Sequence, residues 1–209
     1  MITKALDKQA QTALTPDAVL QDLIQGNDRF LKNDMEARGL QEQRKDTIGG
    51  QFPKAVVLSC IDSRVPIETI FDQGIGDVFV ARVAGNFENT DILGSLEYSC
   101  KAAGSKLVLV LGHESCGAVK AACDGVEMGN ITAMLANIMP AVKLSKETVK
   151  GEANSSNSDF VAATVANNVK LTIDRIREKS AILKEMEDNG EIKILGGVYS
   201  LSKGKVEML

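Results

Sequence analysis

A chain of 209 residues, 44% apolar and 25% charged, has the length and balance of one folded domain with a sizeable core, and no second domain is needed. A formal net charge of -4 argues against the basic footprint of a nucleic-acid binder, and no apolar run reaches the ~18 residues that a membrane span needs. Aromatic residues make up only 4% and Trp is absent, so the core must come from Val, Ile, Leu, Ala and Met.

Met1 to Thr15 lacks the apolar stretch of a secretory leader, which points to a cytoplasmic protein, or to a periplasmic one if a leader has been removed. Thr15-Pro16-Asp17 marks a helix start, with a hydroxyl cap, a proline in the first turn and an acid behind it. Val19, Leu20, Leu23, Ile24, Phe30 and Leu31 recur at helical spacing, predicting an amphipathic helix that ends near residue 31. Residues 33–52 are polar and end in Gly49-Gly50, and they are predicted to be a surface connection. The single domain thus divides into a helical arm, residues 1–50, and a core, residues 51–209.

From residue 55 onward short apolar runs alternate with helical patterns, the mark of an α/β fold with a mostly parallel central sheet flanked by helices. Residues 55–59, 77–82 and 106–111 are predicted strands. Each is followed by a helical segment, from about Ile67, over 91–103, and from about Cys116. Right-handed crossovers place the far ends of all three strands on one edge of the sheet. Two long helices are predicted near 131–148 and 158–188, separated by the polar loop 151–158. A strand over 192–198 follows, and Lys203-Gly204 turns into a short final strand.

Cys60 falls just beyond the first of these strands, and His113 and Cys116 just beyond the third, at the edge where open α/β sheets bind ligands. Two thiolates and an imidazole with an open fourth position are a known set for catalytic zinc, whereas calcium and magnesium prefer oxygen. Spacing by itself leaves metal binding and inert burial equally open, because a lone H-x-x-C is a weak signal. The other two cysteines, Cys100 and Cys123, fall within helical patterns and are predicted to be core. Next to Cys60 stand Asp62 and Arg64, and a guanidinium can grip a carboxylate through two parallel hydrogen bonds. The alternative is that Asp62 and Ser63 merely cap the helix that begins after Pro66. No G-x-G-x-x-G follows a strand, so a dinucleotide site is not expected.

The segments CIDSRV at 60–65 and HESCGA at 113–118 resemble the two signatures of the β-carbonic anhydrases, C-x-D-S-R and H-x-x-C. The likeness continues through VFVARVAGN at 78–86, LEY at 96–98 and GGVYSLSKGKVEML at the C-terminus, so it covers most of the chain beyond residue 50. The resemblance implies reversible hydration of carbon dioxide to bicarbonate and a proton, with a Zn2+ cofactor held by Cys60, His113 and Cys116, and Asp62 with Arg64 as the dyad beside it. It further implies that Gln51, Phe79 and Tyr98 line the substrate pocket, partly across a dimer interface, as in the plant-like subgroup. For Phe79 and Tyr98, ordinary packing is an equal reading of the residues themselves. A tryptophan three residues before the first cysteine marks the other subgroup, with its noncatalytic bicarbonate site, and here that position is Val57. A homodimer or dimer of dimers, with the N-terminal helix lying over the partner, is the implied assembly.

His113 is the only histidine, so a metal-binding role for it leaves proton release to buffer, water, a carboxylate or Tyr98. Two other readings use the same residues: hydrolysis of carbonyl sulfide or carbon disulfide, and a noncatalytic zinc or redox-sensing module.

Overall fold

The computed structural model describes residues 1–209. Strands β1 (Ala55–Ser59) and β3 (Leu107–His113) are buried along their whole length because they form the middle of the sheet and are covered on both faces. With β2 (Val78–Arg82), β4 (Lys193–Tyr199) and β5 (Val206–Met208), they form a five-stranded sheet in the order β2-β1-β3-β4-β5. The first four strands are parallel and β5 is antiparallel to β4. Strand β2 is an edge, and all its residues are partly or fully exposed.

Side chains alternate across the sheet with the period of two that a strand imposes. Val56, Leu58, Val108, Val110 and Ile194 enter one core layer, and Ala55, Val57, Leu107, Leu109 and Leu111 enter the opposite one. Helices α1 (Lys8–Ala13), α2 (Pro16–Leu31) and α3 (Leu40–Asp46) precede β1, and α4 (Ile67–Ile70) follows it. Val19 and Leu23 of α2 pack with Ile67 and Ile70 of α4 on the second layer. The first layer is closed by α5 (Thr90–Glu97) and the five-residue π turn Tyr98–Ala102 that extends it. A third apolar cluster lies beyond the carboxyl ends of the strands, beneath α6 (Gly117–Cys123), α7 (Gly129–Ala136) and α8 (Met139–Thr148). Helix α9 (Ser158–Lys179) spans both regions, with Val165 in the third cluster and Val169, Ile173 and Ile176 in the first, and α10 (Ala181–Asp188) completes that first layer. Burying an aliphatic side chain of this size contributes ~1.5–3 kcal/mol, so α9 is a principal brace of the sheet. It can lie close because Gly112 of β3 has no side chain: a Cβ there would come within 2.8 Å of Val169. No helix is long and apolar enough to cross a membrane.

Four predicted elements need correction. Residues 33–52 are not simply a surface connection: they contain α3, whose Gln43 is buried and donates through Nε2 to Lys4 O, at 3.3 Å. The stretch 131–148 is two helices, separated between Ala136 and Met139. The stretch 158–188 is also two, because Ser180 adopts an extended conformation and its hydroxyl caps Leu183 N. Finally, β3 runs two residues further than its apolar pattern, since Gly112 and His113 pair with Val198 and Tyr199 of β4. His113 therefore ends the strand rather than following it.

Candidate metal centre

Parallel pairing sets the heights of the functional residues. Ser59 is level with Leu111, so Cys60, the next residue after β1, emerges beside the last two residues of β3. After His113 the chain turns through Ser115, which holds a left-handed φ of 55°. That reversal brings Cys116 Sγ to 3.9 Å from Cys60 Sγ. Cys60, His113 and Cys116 are all buried, and their donor atoms lie within 4.8 Å of one another.

The imidazole is oriented from behind. Its Nδ1 is 2.9 Å from Glu114 O, and a carbonyl can only accept, so the proton belongs on Nδ1. Nε2 then offers a lone pair inward, and it is fully buried with no hydrogen-bond partner. Two sulfurs bonded at ~2.3 Å in a tetrahedral field sit ~3.8 Å apart, close to the observed spacing. The donor chemistry, the spacing and the orphaned nitrogen all fit a zinc ion.

The two thiols are coupled through their contact. Hydrogen bonding from Cys116 is the main influence lowering the Cys60 thiol, and the same contact, with burial, raises that of Cys116, so the first proton lost belongs to the pair. Gly85 N–H also donates to Cys60 Sγ at 3.4 Å.

Asp62 stands beside this cluster, with Oδ2 3.7 Å from His113 Nε2. Arg64 donates from Nε to Oδ1 at 2.9 Å and from its terminal nitrogen to Oδ2 at 2.7 Å, and its backbone N–H also reaches Oδ1 at 2.9 Å. Those bonds hold the Asp62 carboxyl well below the usual carboxylate range. Both lone pairs of Oδ1 are taken and one of Oδ2, so one acceptor position remains, on the oxygen nearest His113. Arg82 fixes the same turn by donating to Cys60 O at 2.8 Å and to Asp62 O at 2.6 Å.

Phe79 and Tyr98 meet edge to face with centroids 6.1 Å apart, lining an open groove of about 620 Å³ beside β2. Gln51 does not join them. It precedes β1 and lies beside Gly50 and Ile75, at the opposite edge of the sheet from Cys60. Five strand residues alone set those edges ~17 Å apart. Cys100 and Cys123 are buried free thiols in the core, as expected: Cys100 packs in the first layer, and Cys123 packs in the third cluster with Cys60 and Cys116 without joining the donor set. Arg82, Gly85 and Glu114 O were not singled out by the sequence reading; Arg82 and Gly85 lie in the VFVARVAGN segment, and the carbonyl has no sequence signal.

Together these features define an α/β protein that can hold one soft divalent ion at the carboxyl edge of its sheet, with a directed carboxylate beside it. The carbonic anhydrase family profile matches residues 55–206. Carbonic anhydrase 2 of Mycobacterium tuberculosis is 33% identical over 196 residues, 91% of each chain, and the carbonic anhydrase of Mycolicibacterium smegmatis is 32% identical over 200 residues, 92% of this chain and 93% of its own. Among solved structures, the Coccomyxa β-carbonic anhydrase in complex with acetazolamide is similar at 26% identity, with a TM-score of 0.70 over 79% of this chain and 75% of that one. The tetrameric β-carbonic anhydrases of Sordaria macrospora are similar at 26% identity and a TM-score of 0.68, over 77% and 82%. The chain belongs to the β-carbonic anhydrase family, the enzymes that hydrate carbon dioxide.

Proposed function

We propose that the protein catalyses zinc-dependent, reversible hydration of carbon dioxide at a centre held by Cys60, His113 and Cys116. The observation that carries this reading is the buried Cys-His-Cys donor set, sized for a tetrahedral ion, next to a carboxylate with one free acceptor position. A zinc ion bound there supplies Lewis-acid chemistry that makes water a nucleophile near neutral pH. With the ion in place, Asp62 Oδ2 would accept a hydrogen bond from water at the open position and turn the water's lone pair toward the substrate carbon. Arg64 keeps the carboxylate ionised and occupied on its far side, so Asp62 orients water rather than binding the ion itself.

The groove of Phe79 and Tyr98 contains none of the three ligands, and Phe79 is level with Val56, four residues short of Cys60. The two aromatics would therefore supply an apolar wall for a small nonpolar substrate from a partner copy, and Gln51 a polar donor for an oxygen of the product. Gln51 stands too far from the cluster of its own chain to act there, so it serves the centre of a second copy in a homodimer or dimer of dimers. The unpaired edge of β2 and the tetramers described for the Sordaria enzymes support that assembly.

Metal analysis combined with a stopped-flow hydration assay tests the reading. The wild type should carry one zinc per chain and hydrate carbon dioxide, and Cys60→Ala should lose both properties while remaining folded. A zinc-replete wild type that hydrolyses carbonyl sulfide or carbon disulfide but leaves carbon dioxide untouched would overturn the assignment of substrate.

A further inference from the structure

The turn after β2 carries no metal ligand, yet it touches one: Gly85 N–H is directed at Cys60 Sγ. Gly85 holds a φ of 82°, a conformation that favours glycine. A Cβ on it would come within 2.5 Å of Ile138 Cδ1 and 3.4 Å of Ala118 Cβ, so its backbone is pressed against the third core cluster. The other side of the same residue is anchored to α9, where Asn168 Nδ2 donates to Gly85 O at 2.7 Å. Asn168 is 1% exposed in the middle of that helix, and its Oδ1 has no hydrogen-bond partner. Further along, Glu88 is tied to the same helix by Arg175 at 2.8 Å and Lys179 at 2.8 Å.

A buried amide in the face of a packing helix costs free energy unless its polar atoms are hydrogen-bonded, and Asn168 is only half satisfied, so an apolar residue there would be less costly. Here its one partner is the carbonyl of the residue whose N–H reaches the candidate ligand sulfur. We propose that Asn168 is a positioning residue that fixes the Gly85 N–H on Cys60 Sγ and so tunes how strongly this thiolate donates to the metal. The assignment rests on the reading of Cys60 as a zinc ligand. An N–H bonded to a thiolate withdraws electron density from sulfur, leaving the ion more electrophilic and the thiolate less prone to protonation and release. Helix α9 thereby does two things: it braces the sheet through Val169 and Ile173, and it holds the second layer of hydrogen bonds around the ion through Asn168.

The test uses full-length Asn168→Leu, which keeps the size and removes the donor, and Asn168→Asp, which keeps the shape and places an acceptor against Gly85 O. Val169→Ala, one residue along α9, is the control for loss of packing alone. Zinc release into a chromophoric chelator should quicken roughly tenfold in both Asn168 variants, the lower end of the range for outer-layer changes. In the cobalt-substituted proteins, their thiolate-to-metal charge-transfer band should move to lower energy because the sulfur is more electron-rich. Val169→Ala should leave that band in place even if its melting temperature falls as far. Wild-type release rates and an unshifted band in a folded Asn168→Leu would overturn the proposal. Should the wild type bind no zinc, or keep it in Cys60→Ala, the reading of the centre itself fails, and that outcome is distinct from the first.

Discussion

Asp62 and Asp72 are each gripped by arginine, and each carboxylate accepts three hydrogen bonds, yet the two turns serve different ends. Arg64 is two residues from Asp62, and its side chain is 56% exposed. The partners of Asp72 are Arg29 and Arg38, which come from α2 and the segment after it and lock the N-terminal arm onto the core. Asp72 is wholly buried, so its fourth acceptor position is sealed. The fourth position of Asp62 lies on the oxygen facing His113. The same pairing chemistry therefore builds a fold where it is closed on all sides, and orients a reactant where one side is left open.

The sharpest way to break that comparison is Asp62→Asn. Hydration should fall by roughly a thousandfold, within the usual range for a group that handles the reacting proton, while the melting temperature stays put. Loss of the fold instead would show that the local pair is structural after all.

Asp72→Asn should do the reverse. Asn tolerates the φ of 48° found at this position, so the change isolates the charge. Leaving two arginines without their buried partner should cost about 3 kcal/mol in urea denaturation, with turnover per folded molecule retained. The same variant has a pH signature. Burial works against the ionised form of Asp72, but the hydrogen bonds from Arg29, Glu36 N and Arg38 outweigh it and hold its carboxyl below the ordinary range. A lowered folded pKa contributes stability that is present above the unfolded value of ~3.9 and is lost as pH falls through the folded value. The wild type should therefore lose stability below about pH 4 more steeply than Asp72→Asn, as read by melting temperature across acid buffers.

Arg64→Lys is the mildest of the three. Lysine keeps the charge but not the planar fork, so Asp62 stays ionised and loses its fixed angle. Roughly a tenfold drop in kcat is expected, with KM little changed.

Much of this was legible before any coordinates. The alternating runs from 55 to 111 gave the parallel sheet because β1 and β3 are buried on both faces and must be apolar throughout. Asp62 with Arg64 was legible because both lie in one turn. Asp72 was not singled out, since its partners are 43 and 34 residues earlier in the chain and nothing in Phe71-Asp72-Gln73 announces them. The helix α3 was missed for a similar reason: its Gln43 is a buried polar residue whose amide is satisfied by distant backbone, donating to Lys4 O and accepting from Ile75 N. Gln51 shows the converse limit, because a residue matched by resemblance still has to be carried to the site, and its own chain holds it at the far edge of the sheet.

What the sequence by itself determined is the menu of donors and the periods of the elements: two thiols, one imidazole and one arginine-flanked acid, set beside strands read from local hydrophobic pattern. Residue type and local spacing are properties of the covalent chain, and they survive without knowledge of any partner. Only the tertiary structure decided the 3.9 Å between the two sulfurs, the inward lone pair of His113 and the turn that brings Gly85 to Cys60. Those depend on strand register, on the left-handed Ser115 and on a helix that begins 98 residues after Cys60, at Ser158, and such through-space contacts exist only once the chain has closed on itself.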